Sequence, residues 1–162
     1  MKKSITITLK ISEIVYDIQN KTYLTGRSAA NGTNHAHVAN MQANDDDENA
    51  DQILRSITMA YGQLTNRLAE YITGSQLSGD NALLTTDSDL PIALEMPSNF
   101  NSNVTKTIAE AAHQFIVATA VADWFAITAK GETADYKSVA DTSIAVIEEA
   151  LCKRLRPLRN QA

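Results

Sequence analysis

Residues 104–129 read VTKTIAEAAHQFIVATAVADWFAITA, and this stretch carries apolar or small side chains on nearly every face of a helix. A helix without a polar side must be surrounded by other elements. We expect a chain of 162 residues to cover this helix only in part, so that neighbouring subunits cover the rest. The predicted assembly core consists of Phe115, Val121, Trp124 and Phe125. The stretch therefore indicates an assembly component rather than an enzyme.

Two further helices flank this stretch in the sequence. Residues 45–72 place large apolar side chains at helical spacing behind an acidic start, and Gly74 is a suitable terminator. The last helix begins at Glu132 or Thr133 and ends before Pro157, because proline cannot continue a helix. The apolar stretch is therefore predicted to pack between two amphipathic helices.

Alternating apolar residues predict two short β-strands. Residues 5–9 and 90–96 both show a period of two, and prolines beside the second strand favour an edge position. The two strands pair within one chain or between chains, and the sequence leaves both arrangements open. A short helix is predicted from Ser12 to a point before Gly26.

Residues 27–44 are rich in Asn, Ala, Gly and His and contain almost no large apolar side chain. Such a segment cannot bury enough surface to offset its ordering entropy, so we predict an extended loop or arm ordered by a partner. His35 and His37 are its candidate contact residues. Deletion of 28–43 is then expected to leave the fold intact while weakening assembly.

These elements predict a mainly α fold in a single domain, 1–162. The expected architecture is a small helical bundle of three to four helices, with one or two short β-strands and a long extended loop or arm. The loop or arm comprises 27–44, and a basic C-terminal tail comprises 157–162.

The composition and net charge of the chain argue against several classes of protein. The net charge of −5 argues against a dedicated nucleic-acid binder, because such proteins carry a basic excess. Cys152 is the only cysteine, so no intrachain disulfide forms.

The N-terminal Met-Lys-Lys precedes an alternating segment instead of an apolar run, so we expect no export signal. Charged residues within 104–129, such as Glu110 and Asp123, argue against a membrane span. We expect a soluble protein made in the cytoplasm, without membrane contact.

An acidic patch precedes the first long helix and consists of Asp45, Asp46, Asp47 and Glu48. A calcium loop needs alternating oxygen ligands, a glycine and a distal glutamate, and this spacing is absent. The patch is better explained by a helix N-cap whose acids the helix dipole stabilises. An acidic surface that faces a partner or a channel is the alternative.

The sequence offers no candidate for catalysis. His35 and His37 are only two metal ligands on a predicted loop, which do not make a closed metal site. No phosphate-binding glycine loop, nucleophile elbow or His-Glu-x-x-His motif occurs. We therefore expect no catalytic residue, no metal and no cofactor, and the protein is not expected to be an enzyme.

Four cations follow the last acid of the chain: Lys153, Arg154, Arg156 and Arg159. They either complement the dipole of the last helix and continue into a solvated tail, or they contact an acidic protein or nucleic acid. They are the candidate partner-contact residues.

The order of these elements resembles the small helical head–tail connector (adaptor) proteins of tailed bacteriophages. The resemblance rests on the Asp-Asp-Asp-Glu start at 45–48 and on the later helix that ends in Trp-Phe, here within 118–125. Residues 11–26 and the ending Cys-Lys-Arg-Leu-Arg-Pro at 152–157 also resemble small structural proteins encoded by phages of Bacteroidetes hosts.

The resemblance implies a homo-oligomeric ring, of twelve copies if the protein is an adaptor, seated under the portal in the virion neck. The implied partners are the portal protein and other neck and tail proteins. Genomic DNA would pass through the lumen without sequence-specific binding. The resemblance carries no catalytic residue.

Two alternatives are open. The first is a tail terminator or other head-completion protein, although such proteins usually carry a larger sheet than two strands. The second is a small helical nucleic-acid-binding regulator whose C-terminal cations contact phosphates. A ring gives a high, discrete mass, whereas a regulator is a monomer or dimer whose DNA affinity falls steeply with salt.

Overall fold

The computed structural model describes residues 1–44, 46–74 and 77–158. The elements in chain order are β1 (Lys2–Lys10), α1 (Ile11–Ser28), α2 (His35–Met41), α3 (Asp47–Arg67), β2 (Asp89–Pro97), α4 (Thr105–Thr128) and α5 (Thr133–Leu151). Short 3-10 turns at Ser102–Val104 and Lys130–Glu132 lead into the last two helices. The protein is mainly α with a small antiparallel sheet, which confirms the predicted fold class.

The two predicted strands pair with each other inside the chain. β1 and β2 run antiparallel over their whole length, from Lys2 opposite Pro97 to Lys10 opposite Asp89. The apolar side chains of both strands face the core, and those of β1 alternate with exposed side chains as the period of two predicts. The two strands therefore pair within one chain, which was one of the two arrangements that the sequence left open.

Pro91 is accommodated in β2 because its backbone faces away from β1. The odd-numbered residues Ala93 and Glu95 direct their backbone groups to the other side, where they bond to Thr73 (3.0 Å) and Tyr71 (2.7 Å). Pro91 shares this orientation, so its missing N–H breaks no bond to β1. Its carbonyl instead accepts a hydrogen bond from the Tyr61 hydroxyl, and burial raises the pKa of Tyr61 to about 12.

The first long helix is shorter than the predicted range of 45–72. α3 ends at Arg67, and residues 71–73 run beside β2 as a short extended piece. The N–H groups of Tyr71 and Ile72 bond back to the Leu68 carbonyl, while the Tyr71 carbonyl and the Thr73 N–H bond to β2. Gly74 has a φ of +74° and follows this pairing instead of capping the helix.

The apolar helix α4 lies at the centre of the fold. It packs against α5, α3, α1, α2 and β1 of its own chain. Phe115, Val121, Trp124 and Phe125 are all buried in one contiguous core with the sheet. The prediction that neighbouring subunits must cover this helix is wrong for its large apolar side chains other than Ile127, because the chain's own helices and sheet bury them.

The segment predicted as an extended arm is partly helical and is attached to the core near its end. α1 continues through Gly26 to Ser28, and residues 35–41 form α2, so the prediction of an extended loop over 27–44 is wrong there. A Cβ on Gly26 would lie 3.2 Å from the carbonyl oxygen of Val38, so glycine permits the close approach of α1 and α2. Met41 and Ala43 are buried, and these two side chains hold the segment in place.

A buried threonine fixes the return of this segment to α1. The Thr22 hydroxyl donates to the Gln19 carbonyl and accepts from the Ala43 N–H, both at 3.0 Å. Thr22→Val keeps the shape but leaves the Ala43 N–H without a partner, so we expect a loss of about 1 to 3 kcal/mol in the free energy of unfolding. Urea denaturation checks this value. The control Thr65→Val, on a partly exposed face of α3, is expected to stay within about 0.5 kcal/mol.

None of the helices in the described residues combines the length and hydropathy that a bilayer-spanning segment requires.

Candidate interaction surfaces

A polar cleft of about 640 Å³ opens where α2, the start of α3 and the last turn of α4 meet. We call it the α2–α3 cleft. Trp124, Ile127 and Thr128 contribute its α4 side, and five amide side chains contribute most of the rest. These amides are Asn40, Gln42, Asn44, Asn49 and Gln52. The cleft therefore combines hydrogen-bonding groups with apolar side chains.

The walls of the α2–α3 cleft are held by specific hydrogen bonds. The Trp124 indole N–H donates to the Met41 carbonyl at 2.7 Å, which joins the end of α2 to α4. The Asn49 amide donates to the Asn44 side-chain oxygen at 2.6 Å. Ile127, in contrast, is 70% exposed on the rim. An exposed isoleucine beside a cleft is a candidate contact for a partner.

The acidic patch lies at the edge of this cleft. Asp46 precedes α3 and lines the cleft, while Asp47 and Glu48 lie in the first turn of the helix. All three carboxylates are exposed, and no ion pair involves them within the described residues. Asp45 lies outside the described residues. The positions of Asp47 and Glu48 suit the helix dipole, although Asp46 makes no side-chain cap.

The two histidines of the predicted arm do not act together. Both are exposed on α2, but only His37 lines the cleft. Among the described residues no group of three or more His, Cys, Asp or Glu side chains is close enough to hold a metal ion.

The C-terminal segment begins by folding back onto the start of α4. The Asn101 N–H donates to the Lys153 carbonyl at 3.1 Å, and the Leu155 N–H donates to the Asn99 carbonyl at 2.8 Å. The Arg154 guanidinium donates to the Leu151 carbonyl at 2.7 Å and so satisfies an end group of α5. These bonds fix the direction in which the chain leaves the fold.

Two of the four predicted partner-contact cations have partners inside the chain. Lys153 pairs with Glu149 at 2.9 Å, and Arg154 caps α5 as described. Arg156 makes no ion pair or hydrogen bond to the described part of the chain, and Arg159 lies outside the described residues. Leu155 and Leu158 beside Arg156 are 49% and 95% exposed. Residues 155–158 thus present two leucines and a cation to solvent.

A second groove, of about 530 Å³, lies between the first half of α4 and α5. Ala111, Val139 and Val146 supply much of its apolar lining. Lys106 and Glu110 also line it and pair at 2.8 Å, which lowers the pKa of the glutamate. This groove is a further exposed apolar surface, separate from the α2–α3 cleft.

Side-chain contacts of α1 with α5 and with α4 lie towards the two ends of α4. At the far end of α4, α1 and α5 meet, since the Thr25 and Tyr136 hydroxyls lie 2.5 Å apart beside Phe125. At the near end α1 instead contacts α4 directly, through the pair Asp17 and His113 at 2.5 Å.

The sequence predicts the acidic patch and the C-terminal cations, but it does not predict the α2–α3 cleft. The acids and cations are visible as runs, whereas the cleft depends on α2, which was predicted as an arm. Its one sequence signal is the high Asn and Gln content of 40–52.

Comparison of the chain with protein-family models, with curated proteins and with solved structures finds no match. A functional conclusion therefore depends on the residues and surfaces described above.

Proposed function

We propose that this protein is a structural virion component of a tailed phage, a head–tail connector (adaptor). In this proposal twelve copies form a ring in the virion neck below the portal, and genomic DNA passes through the lumen. The helix order, the acidic start of α3 and the segments at 11–26 and 152–157 support it through their resemblance to phage connector and structural proteins. The protein performs no catalysis in this role.

The observation that carries the proposal is the separation of two exposed apolar sites, one at Ile127 and the other at Leu155 and Leu158. Ile127 lies in the last turn of α4, while Leu155 is held beside residue 99, just before that helix begins. The 20 residues from Val104 to Trp124 span about 30 Å at 1.5 Å per residue. Two different contact surfaces at opposite ends of a closed core are what a head-to-tail ring requires.

The alternatives receive less support from these observations. A tail terminator or head-completion protein is expected to carry a larger sheet than β1 and β2. A nucleic-acid-binding regulator needs free cations, but Lys153 and Arg154 have partners within the chain and the net charge is −5.

Native mass measurement tests the proposal. Twelve copies of the 17.6 kDa chain have a mass of about 211 kDa, and we expect one discrete species near this value. Negative-stain electron microscopy is expected to reveal closed rings. A monomer or dimer at all concentrations, with DNA affinity that falls steeply with salt, would instead identify the regulator.

A further inference from the structure

The α2–α3 cleft and residues 155–158 are complementary in charge and polarity. The cleft has an acidic edge at Asp46 and an exposed apolar rim at Ile127. The C-terminal segment has an exposed cation, Arg156, between two exposed leucines. We infer that the α2–α3 cleft of one copy binds residues 155–158 of a second copy. The inference rests on the proposed ring and names the contact that closes it.

Each part of the cleft has a matching group in the segment. Leu158 is 95% exposed, and packing against Ile127 removes apolar surface of both from water. Arg156 lies two residues before it and can reach the carboxylates of Asp46 and Asp47, which have no cation partner among the described residues. The amides of the cleft suit the backbone carbonyls of the segment and the N–H groups of Arg156 and Leu158, since Pro157 has no N–H and that of Leu155 bonds to Asn99.

The segment cannot reach the cleft of its own chain. Leu155 is held by its bond to the Asn99 carbonyl, near the start of α4, whereas the cleft lies at the end of α4, about 30 Å away. The three residues from Leu155 to Leu158 span at most about 11 Å. The occupant must therefore come from another copy.

The contact is heterologous, because it joins two different surfaces. Each copy presents one cleft and one C-terminal segment at opposite ends of α4, so that every copy binds two neighbours. Such contacts produce a ring when the rotation between copies closes. The same arrangement makes the contact testable by complementation between two defective variants.

The test uses two full-length variants, Leu158→Asp in the segment and Ile127→Asp in the cleft. Both side chains are mostly exposed, so the substitutions leave the core unchanged. We expect each variant alone to lose the ring, with self-association weakened at least about tenfold. An equal mixture is expected to form a dimer of about 35 kDa, because one intact segment meets one intact cleft. The control Met59→Asp, at a 58% exposed position of α3 outside the cleft, is expected to keep the wild-type mass.

Disulfide trapping gives a second readout in a Cys152→Ser background. The pair Ile127→Cys and Leu158→Cys is expected to produce a ladder of covalent oligomers, and the pair Met59→Cys and Leu158→Cys is not. The inference is overturned if either aspartate variant keeps the wild-type mass, if the mixture stays monomeric, or if both cysteine pairs produce the same ladder. In those cases a wild-type ring would still support the proposed function, whereas a wild-type monomer would refute both.

Discussion

Replacing Trp124 by alanine is expected to lower the free energy of unfolding by about 3 to 5 kcal/mol. The indole is buried between α4 and the end of α2, and its N–H donates to the Met41 carbonyl at 2.7 Å. Alanine leaves a cavity and removes the partner of that buried carbonyl. Chemical denaturation followed by circular dichroism measures the effect, and the loss is large beside the stability of a typical domain.

Two controls separate the packing of Trp124 from its hydrogen bond. Trp124→Phe keeps much of the ring volume but loses the N–H, so we expect a smaller loss, of about 1 to 3 kcal/mol. Met59→Ala, at an exposed position of α3, is expected to change stability by less than about 0.5 kcal/mol. A Trp124→Ala variant as stable as the wild type would contradict the packing described for this end of α4.

Replacing residues 30–42 by a Gly-Ser linker of equal length is expected to destabilise the fold by at least about 3 kcal/mol. The linker removes the buried Met41 side chain and the helix α2, so the backbone carbonyl at position 41 is no longer held against the Trp124 N–H. A peripheral arm, as the sequence predicts, would leave stability unchanged on this replacement. Denaturation midpoints and far-ultraviolet circular dichroism distinguish these outcomes.

The matched control for this replacement keeps Met41 and changes only the exposed face of α2. Substituting His35 and His37 by serine leaves the buried contacts in place, so we expect a loss below about 1 kcal/mol. If the linker variant proves no less stable than this control, the segment contributes no packing energy.

The candidate surfaces were only partly predictable from the sequence. The acids at 45–48 are contiguous and the cations after Glu149 lie close together, so both groups are visible in the sequence. The partners of Lys153 and Arg154 are local, because Glu149 and the Leu151 carbonyl lie four and three residues earlier in the chain. What the sequence does not show is that the C-terminal segment folds back onto residues 99–101. The exposure of Ile127 was not predictable either, because it lies in a stretch that is apolar on nearly every face.

The sequence by itself determined the local elements with a strong period. The alternation at 5–9 and 90–96 specified two strands, and the apolar spacing in α3, α4 and α5 specified three helices. These patterns are local, because the burial of each residue follows from the geometry of its own helix or strand.

Only the tertiary structure decided what surrounds α4 and what becomes of residues 29–44. This segment has few apolar residues, and its own composition cannot offset the entropy of ordering it. Met41 and Ala43 are nevertheless buried because α1 and α4 already provide a surface for the segment, and Thr22 supplies the hydrogen bond. Burial by distant parts of the chain is a property of the assembled fold, so a local pattern does not encode it.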